Sequence, residues 1–256
     1  MKMKSQVEPL FFFLLFALIT FSAIAQNEET KIDASKPTNF YTLLDNTIEN
    51  TFSPNQNVMG YRGKLMYAPS ESHLILGELP LLYNDRTEKF GLGDIRVRYF
   101  YLPYKNYDKL FGAFGPSIDV FTPTGKFEDG LGSGRLTISP GLTAGIMVAD
   151  WIQFFPILSY QYASKPVYDN VPEELNNSMH GITFQVITPI VFTDKFFMQL
   201  TPIYRMNNIS DERQDRFIAE AIAVYTLAPK LQISGFFNGN FTDKIYQTSV
   251  GLTVFL

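Results

Sequence analysis

Ser178 and His180 stand two residues apart, and in an extended strand such a pair projects from one face. A serine beside a histidine could supply a nucleophile and its base, as in an outer-membrane lipid hydrolase, with Asn176 as the orienting third group. The known arrangement places His before Ser, and with the order reversed and polar surroundings a plain strand start accounts for the pair better. His73, the second of two histidines, falls in a short turn, and the chain has no cysteine. Asp211, Glu212 and Asp215 crowd one polar stretch, but Arg213 and Arg216 are interleaved with them. A calcium site needs several converging oxygens, so a solvated or lipopolysaccharide-facing charge cluster accounts for them better. Gly130-Leu131-Gly132-Ser133-Gly134 has the glycine count of a phosphate loop without its Lys-Ser/Thr ending or a following helix. No enzyme, cofactor or metal is expected from these residues, and a net charge of −4 gives no footing for nucleic acid.

What must position such residues is a series of strands. Ile95-Arg96-Val97-Arg98-Tyr99 alternates apolar and charged residues, and similar alternation recurs to the end of the chain. Short connections at 68–72, 103–109, 149–150, 193–195 and 228–230 alternate with longer polar ones at 84–93, 124–134, 164–179 and 207–214. Transmembrane barrels have this pattern of short periplasmic turns and long external loops. Counting back from the C-terminus gives eleven strands after residue 56. An even number is the rule for bacterial barrels, so a twelfth strand is expected over 40–52. Leu44, Ile48 and Phe52 in that stretch recur every fourth residue, which a helix also satisfies.

Both ends of the chain agree with export. Lys2 and Lys4 precede an apolar run over 10–21, and Ala23-Ile24-Ala25 supplies the small residues of a cleavage site. Residues 1–25 are expected to be a cleaved signal peptide and 26–39 a polar, extended periplasmic tail. The barrel is expected over 40–256. The chain ends Ser249-Val250-Gly251-Leu252-Thr253-Val254-Phe255-Leu256, with Leu252, Val254 and Leu256 on one face. Outer-membrane barrels end in this way, and the barrel-assembly machinery reads such a strand. Apolar residues make up 46% of the chain and aromatic ones 15%, yet no second long apolar run follows the signal. Alternation hides hydrophobicity in this manner. Tyr101, Tyr104, Tyr107, Trp151, Phe196 and Phe197 cluster beside the short turns, where rings form a headgroup girdle. An exported soluble β-sandwich is the competing fold. The fold class expected is all-β, a single antiparallel transmembrane barrel of twelve strands in the outer membrane, with lipid and lipopolysaccharide around it.

Carried inward, the alternation assigns Arg62, Lys64, Glu78, Asp94, Arg96, Arg98, Asp119, Arg135, Arg205, Arg216 and Glu220 to the lumen. Ionised groups in a narrow interior must be paired or hydrated. They imply either a salt-bridged plug or a weakly cationic passage, and the plugged or narrow form is the one expected. Pro116, Pro140, Pro156, Pro189 and Pro202 fall inside five consecutive strands. Proline removes a ladder hydrogen bond. These residues either sit near strand ends and at bulges that tune curvature, or mark a kinked wall through which an apolar solute leaves sideways. Pro189 takes the opposite parity from the other four, which implies a bulge or register shift beside it.

Gly91-Leu92-Gly93-Asp94, Pro123-Thr124-Gly125-Lys126, the glycine run to Gly134, and Ser139-Pro140-Gly141 together resemble a family of transporter-like outer-membrane barrels labelled for the meta-pathway of phenol degradation. The resemblance spans 91–141, more weakly onward to the C-terminus. It implies passage of small, apolar or aromatic compounds and identifies no site residue. By their own chemistry these motifs read as loop ends and turns, where glycine permits φ > 0 and proline stops the ladder. A structural or adhesion barrel, with 164–179 as its contact loop, is the alternative outside transport.

Overall fold

The computed structural model describes residues 32–168, 171 and 176–256; the expected signal peptide and the first part of the polar stretch after it lie outside the described residues. Regular structure among the described residues is entirely β. The chain opens with β1 (Leu43–Ser53), β2 (Gln56–Ser70) and β3 (His73–Asn84). Next come β4 (Lys89–Leu92), β5 (Arg96–Tyr101) and the short β6 (Tyr104–Lys105). β7 (Phe111–Phe121), β8 (Thr137–Ala149), β9 (Ile152–Ala163) and β10 (Met179–Thr193) follow. The last four are β11 (Phe196–Asn207), β12 (Gln214–Ala228), β13 (Leu231–Asn240) and β14 (Ile245–Phe255).

β4 and β5 both pair with β3, so they form one crossing of the wall, interrupted at 93–95. β6 pairs with β7 alone. The wall among the described residues therefore has twelve antiparallel crossings. It closes where β1 pairs β14, from Leu43↔Phe255 to Phe52↔Tyr246. Closure leaves no edge strand, which is what a sheet in hydrocarbon requires.

β1 is a strand, and its apolar residues show why the helical reading loses. Ile48 lies between Val250 of β14 and Tyr61 of β2, on the outer face, 68% exposed to solvent in the isolated chain. Val250, Leu158, Phe184 and Trp151 are also exposed large apolar side chains. A soluble sandwich would bury such residues between two sheets; here they coat the outside of one closed sheet. Such a surface is at home in lipid.

Rings gather at both ends of the wall. Tyr101, Tyr104, Trp151, Phe192 and Phe196 lie near the short turns, and Phe217, Phe237 and Phe241 near the long loops. Two members of the expected girdle differ. Phe197 shares the inward parity of Gln199 and Thr201, because adjacent residues of β11 alternate faces and Phe196 takes the outer one. Tyr107 turns to the N-terminal segment, where its hydroxyl meets Thr38 Oγ1 at 2.7 Å.

The described part of that segment, from residue 32, is not extended. Residues 34–38 turn, with the Asp33 carboxylate accepting from Lys36 Nζ at 2.8 Å and from the Ser35 amide at 3.2 Å. Thr38 is 2% exposed. Phe40 packs with Leu74 and Leu102, and Met66, Ala68 and Phe100 flank them. This small apolar cluster narrows the short-turn end of the barrel.

Candidate functional site: the barrel lumen

Inward residues on one half of the wall form a continuous ionic network. Glu49 on β1 accepts Nε and Nη2 of Arg62, each at 2.8 Å. Arg62 reaches Glu78 at 3.3 Å, and Glu78 is 3.2 Å from Arg96. Arg96 holds Asp119 through two hydrogen bonds of 2.8 and 2.7 Å, and Arg98 shares the same carboxylate. Lys64 lies 3.2 Å from Asp45 and 3.9 Å from Glu78. Gln247 and Thr253 of β14 donate to Glu49 and Asp45, each at 3.0 Å, so the network also stitches the seam that closes the ring.

Four acidic and four basic groups balance within this network. Glu49, Glu78 and Asp119 are buried, at 5, 6 and 9% exposure. Burial of this kind is tolerable because every charge has a partner with hydrogen-bond geometry. Asp45 and Glu49 escaped the sequence reading, since a stretch that fits helix and strand alike yields no inward set. With them included, the charges of this network sum to zero.

The glycine motifs explain how the loop end narrows. Asp94 sits in the break between β4 and β5, and its carboxylate accepts the amides of Gly125 at 3.0 Å and Ser133 at 2.7 Å. Both belong to the loop 122–136, so one side chain draws that loop inward. Gly132 packs on the same carboxylate: a Cβ there would lie 2.4 Å from Asp94 Oδ1 and 2.5 Å from the Gly125 carbonyl oxygen. Asn84, fully buried, donates Nδ2 to the carbonyl of Asp129 at 3.0 Å. Gly130 turns there with φ of 70°, a left-handed conformation that suits glycine. Gly91 and Leu92 are thus already in the wall, paired with Leu82 and Leu81, rather than at the end of a loop.

Two expected lumen residues do other work. Arg135 precedes β8 and donates Nη1 to the carbonyls of Ser164 at 2.8 Å and Asn177 at 2.6 Å, joining two long loops. Arg216 holds Asp243 of the last loop at 2.7 Å. Arg205 and Glu220 face the cavity that remains. Its volume is about 510 Å³, and hydroxyl and amide side chains of β7 to β11 line much of it. Ile157, Ile187 and Ile203 add an apolar strip on β9, β10 and β11. Glu220 accepts from Asn238 Nδ2 at 2.9 Å.

Ser178 and His180 do not form a dyad. His180 pairs through Nδ1 with the Tyr160 hydroxyl, and its ring lies 5.4 Å from that of Tyr162. His73 makes the corresponding bond to Tyr99, at 2.6 Å, near the other end of the wall. Among the described residues no group of acidic and histidine side chains is arranged to hold a metal.

The five prolines lie within strands, and each interrupts one ladder. β7 is paired at Ser117↔Phe100 and next at Phe114↔Tyr104, skipping Pro116. The β8–β9 ladder skips Pro140 between Ile138↔Tyr162 and Gly141↔Ser159. It skips Pro156 between Thr143↔Ile157 and Ile146↔Phe154. Between β9 and β10 the gap at Pro189 runs from Ile187↔Phe155 to Ile190↔Ile152. Between β10 and β11 the gap at Pro202 runs from Gln185↔Ile203 to Thr188↔Leu200. On its other side each proline is paired: with Leu142, Ile118, Val186, Gln199 and Ala219 in turn. At the four prolines of β8 to β11 the register is the same on both sides of the gap, so a missing N–H and not a bulge makes it; at Pro116 the register steps by one residue between Phe100↔Ser117 and Tyr104↔Phe114. Pro189 alone is buried, and the shift between Val191 and Thr193 lies just beyond it.

No family model and no curated relative matches the chain. Solved barrels do. The COG4313 outer membrane channel from Pseudomonas putida F1 aligns over 85% of this chain and 96% of its own, with a TM-score of 0.61 and 10% identity. The NanC porin aligns over 83% and 99%, at a TM-score of 0.59 and 9% identity. For the KdgM porin the figures are 82% and 98%, 0.56 and 11%. At such identity the likeness is one of fold: a twelve-stranded porin-like barrel. It bears on the barrel part of the resemblance and not on the phenol-degradation label.

Proposed function

We propose that this chain is an outer-membrane channel for small solutes, with apolar or aromatic compounds as the class it passes. The observation that carries the reading is the division of the lumen. One half is neutralised and closed by its ionic network, while the other keeps a cavity with the Ile157, Ile187 and Ile203 strip along it. The expected signal peptide, the terminal strand and the apolar exterior support an outer-membrane location, with lipid, lipopolysaccharide and the assembly machinery as its surroundings.

A sideways route accompanies the axial one. The apolar strip lies on the strands whose ladders are broken at Pro156, Pro189 and Pro202, and Ile157 and Ile203 adjoin two of these prolines. An unmet carbonyl in lipid costs several kcal/mol, so these are the weakest lines in the wall. A compound that prefers lipid to water has there a path out of the lumen.

Membrane fractionation with heat-modifiable gel mobility tests the location; a chain found only in the soluble periplasmic fraction defeats it. Uptake by a deletion strain tests passage. Reduced entry of apolar or aromatic compounds, restored by the full chain, is expected, and unchanged entry of every small solute tried rejects transport. A lipase activity abolished by Ser178→Ala would instead make the chain a hydrolase.

A further inference from the structure

Among the described residues, Arg205 is the one inward cation lining the cavity with no carboxylate in ion-pair contact. Arg96 and Arg98 are engaged by Glu78 and Asp119. For Arg205, no hydrogen bond or ion pair joins the guanidinium to another described residue, and its Nε is buried without a partner. A buried guanidinium donor left unmet is costly. The register makes its position worse, because Arg205 lies directly opposite Arg216 of β12. Like charges facing each other across two strands repel. Asp243 neutralises Arg216. For Arg205 no carboxylate lies within ion-pair distance, and Glu220 and Asp119 attract it only from farther off. Both are committed elsewhere: Glu220 pairs in register with Thr201 and accepts from Asn238, and Asp119 is held by two arginines.

The neighbours of Arg205 on the other side are hydroxyls. Thr183 of β10 is its register partner, and Ser159 of β9 is the partner of Thr183. Both line the cavity. A row across three strands thus reads Ser159, Thr183, Arg205, all inward. The next inward row reads Ile157, Gln185, Ile203. One row offers a cation and two hydroxyl donors; the row beside it offers two apolar side chains around an amide.

We propose that this pair of rows is a binding subsite for a small amphiphilic carboxylate. The carboxylate sits on the Arg205 guanidinium, with Thr183 and Ser159 as further donors, and its apolar body lies along Ile157 and Ile203. The bound anion supplies the charge that the Arg205–Arg216 pair lacks. The subsite rests on the channel reading and narrows its solute class to compounds that carry an acid group on a small apolar frame.

The test uses the full chain in lipid nanodiscs, with benzoate and hexanoate as probes and benzamide and hexanamide as their uncharged counterparts. Binding is read by saturation-transfer NMR against empty nanodiscs. An interaction with a charged group is worth about ten-fold or more in affinity, so each acid should bind about ten-fold tighter than its amide. R205Q should abolish that preference, R205K should retain part of it, and R213Q, on an exposed loop, should leave it intact. T183E sets a carboxylate opposite Arg205; it should fold and lose the preference, which keeps the test decisive if R205Q gives no heat-shifted band. Equal binding of acid and amide by the wild type overturns the proposal. So does an acid preference that survives both R205Q and T183E. Planar-bilayer conductance separates the two readings: acid binding through Arg205 without conductance defeats passage and spares the subsite. Conductance without acid preference does the reverse.

Discussion

Glu49 grips Arg62 from the neighbouring strand with two hydrogen bonds of 2.8 Å each, next to the seam that closes the barrel. Glu49 → Gln keeps the size and removes the charge, leaving Arg62 with Glu78 alone. Breaking a buried pair by removing one partner costs about 3 kcal/mol. Urea unfolding of the chain in lipid vesicles should show a loss of that order for E49Q. A double-mutant cycle with R62M should recover part of it, since two absent charges cost less than one unpaired charge.

Asp94 governs the inward loop. Asp94→Ala removes the acceptor for the Gly125 and Ser133 amides. Hydrogen bonds to a charged group contribute about 1.5–3 kcal/mol each, so the loop 122–136 should leave the lumen. Single-channel recordings should show a higher conductance for D94A than for the wild type, and an unchanged conductance would mean that the loop is held by other contacts.

Much of this arrangement is legible in the sequence because alternation survives wherever polar and apolar residues strictly take turns, as in β5. It fails where one residue set satisfies two periods. Leu44, Ile48 and Phe52 do so, and Glu49 and Asp45 were lost with the face they define. Arg135 fails differently: alternation extends past the end of β8, which begins only at Thr137, so a loop residue was placed in the wall. The role of Asp94 depends on backbone amides 31 and 39 residues away, which no side-chain pattern reveals. The unmet state of Arg205 is a matter of register. Its opposition to Arg216 exists only once two strands are aligned.

The N-terminal segment should respond to pH at both extremes. Burial pushes the Asp33 carboxyl up, but hydrogen bonds from Lys36 and Ser35 outweigh it and hold the group below the ordinary carboxylate range. A depressed folded value stabilises the turn above the ordinary value and loses that contribution as pH falls through the folded one. Burial raises the Tyr107 phenol to about 12, against an opposing bond from Thr38. A raised value contributes fully below the ordinary phenol range and is lost as pH climbs through about 12. Hydrogen exchange of 33–41 should therefore be slowest in the middle of the pH scale, once intrinsic exchange is corrected for. It should rise below the carboxylate range in wild type and be already raised at neutral pH in Asp33→Asn.

The wall prolines offer the sharpest test of sideways exit. Pro156→Ala and Pro202→Ala each restore an N–H on the side where the ladder is interrupted, toward β8 and β10 respectively. If the gaps exist only because a donor is missing, the restored amides should find the facing carbonyls, and the bonds should form without a register change. Amide exchange across 152–158 and 200–206 would then slow in the double variant. Closing these lines should also slow the entry of an apolar probe such as N-phenylnaphthylamine into cells, while leaving ion conductance through the lumen as it was. The two measurements must move together. Slower exchange with unchanged probe entry would show that the prolines shape the wall and that no solute leaves through it; slowed entry with a parallel fall in conductance would place the effect in the lumen instead.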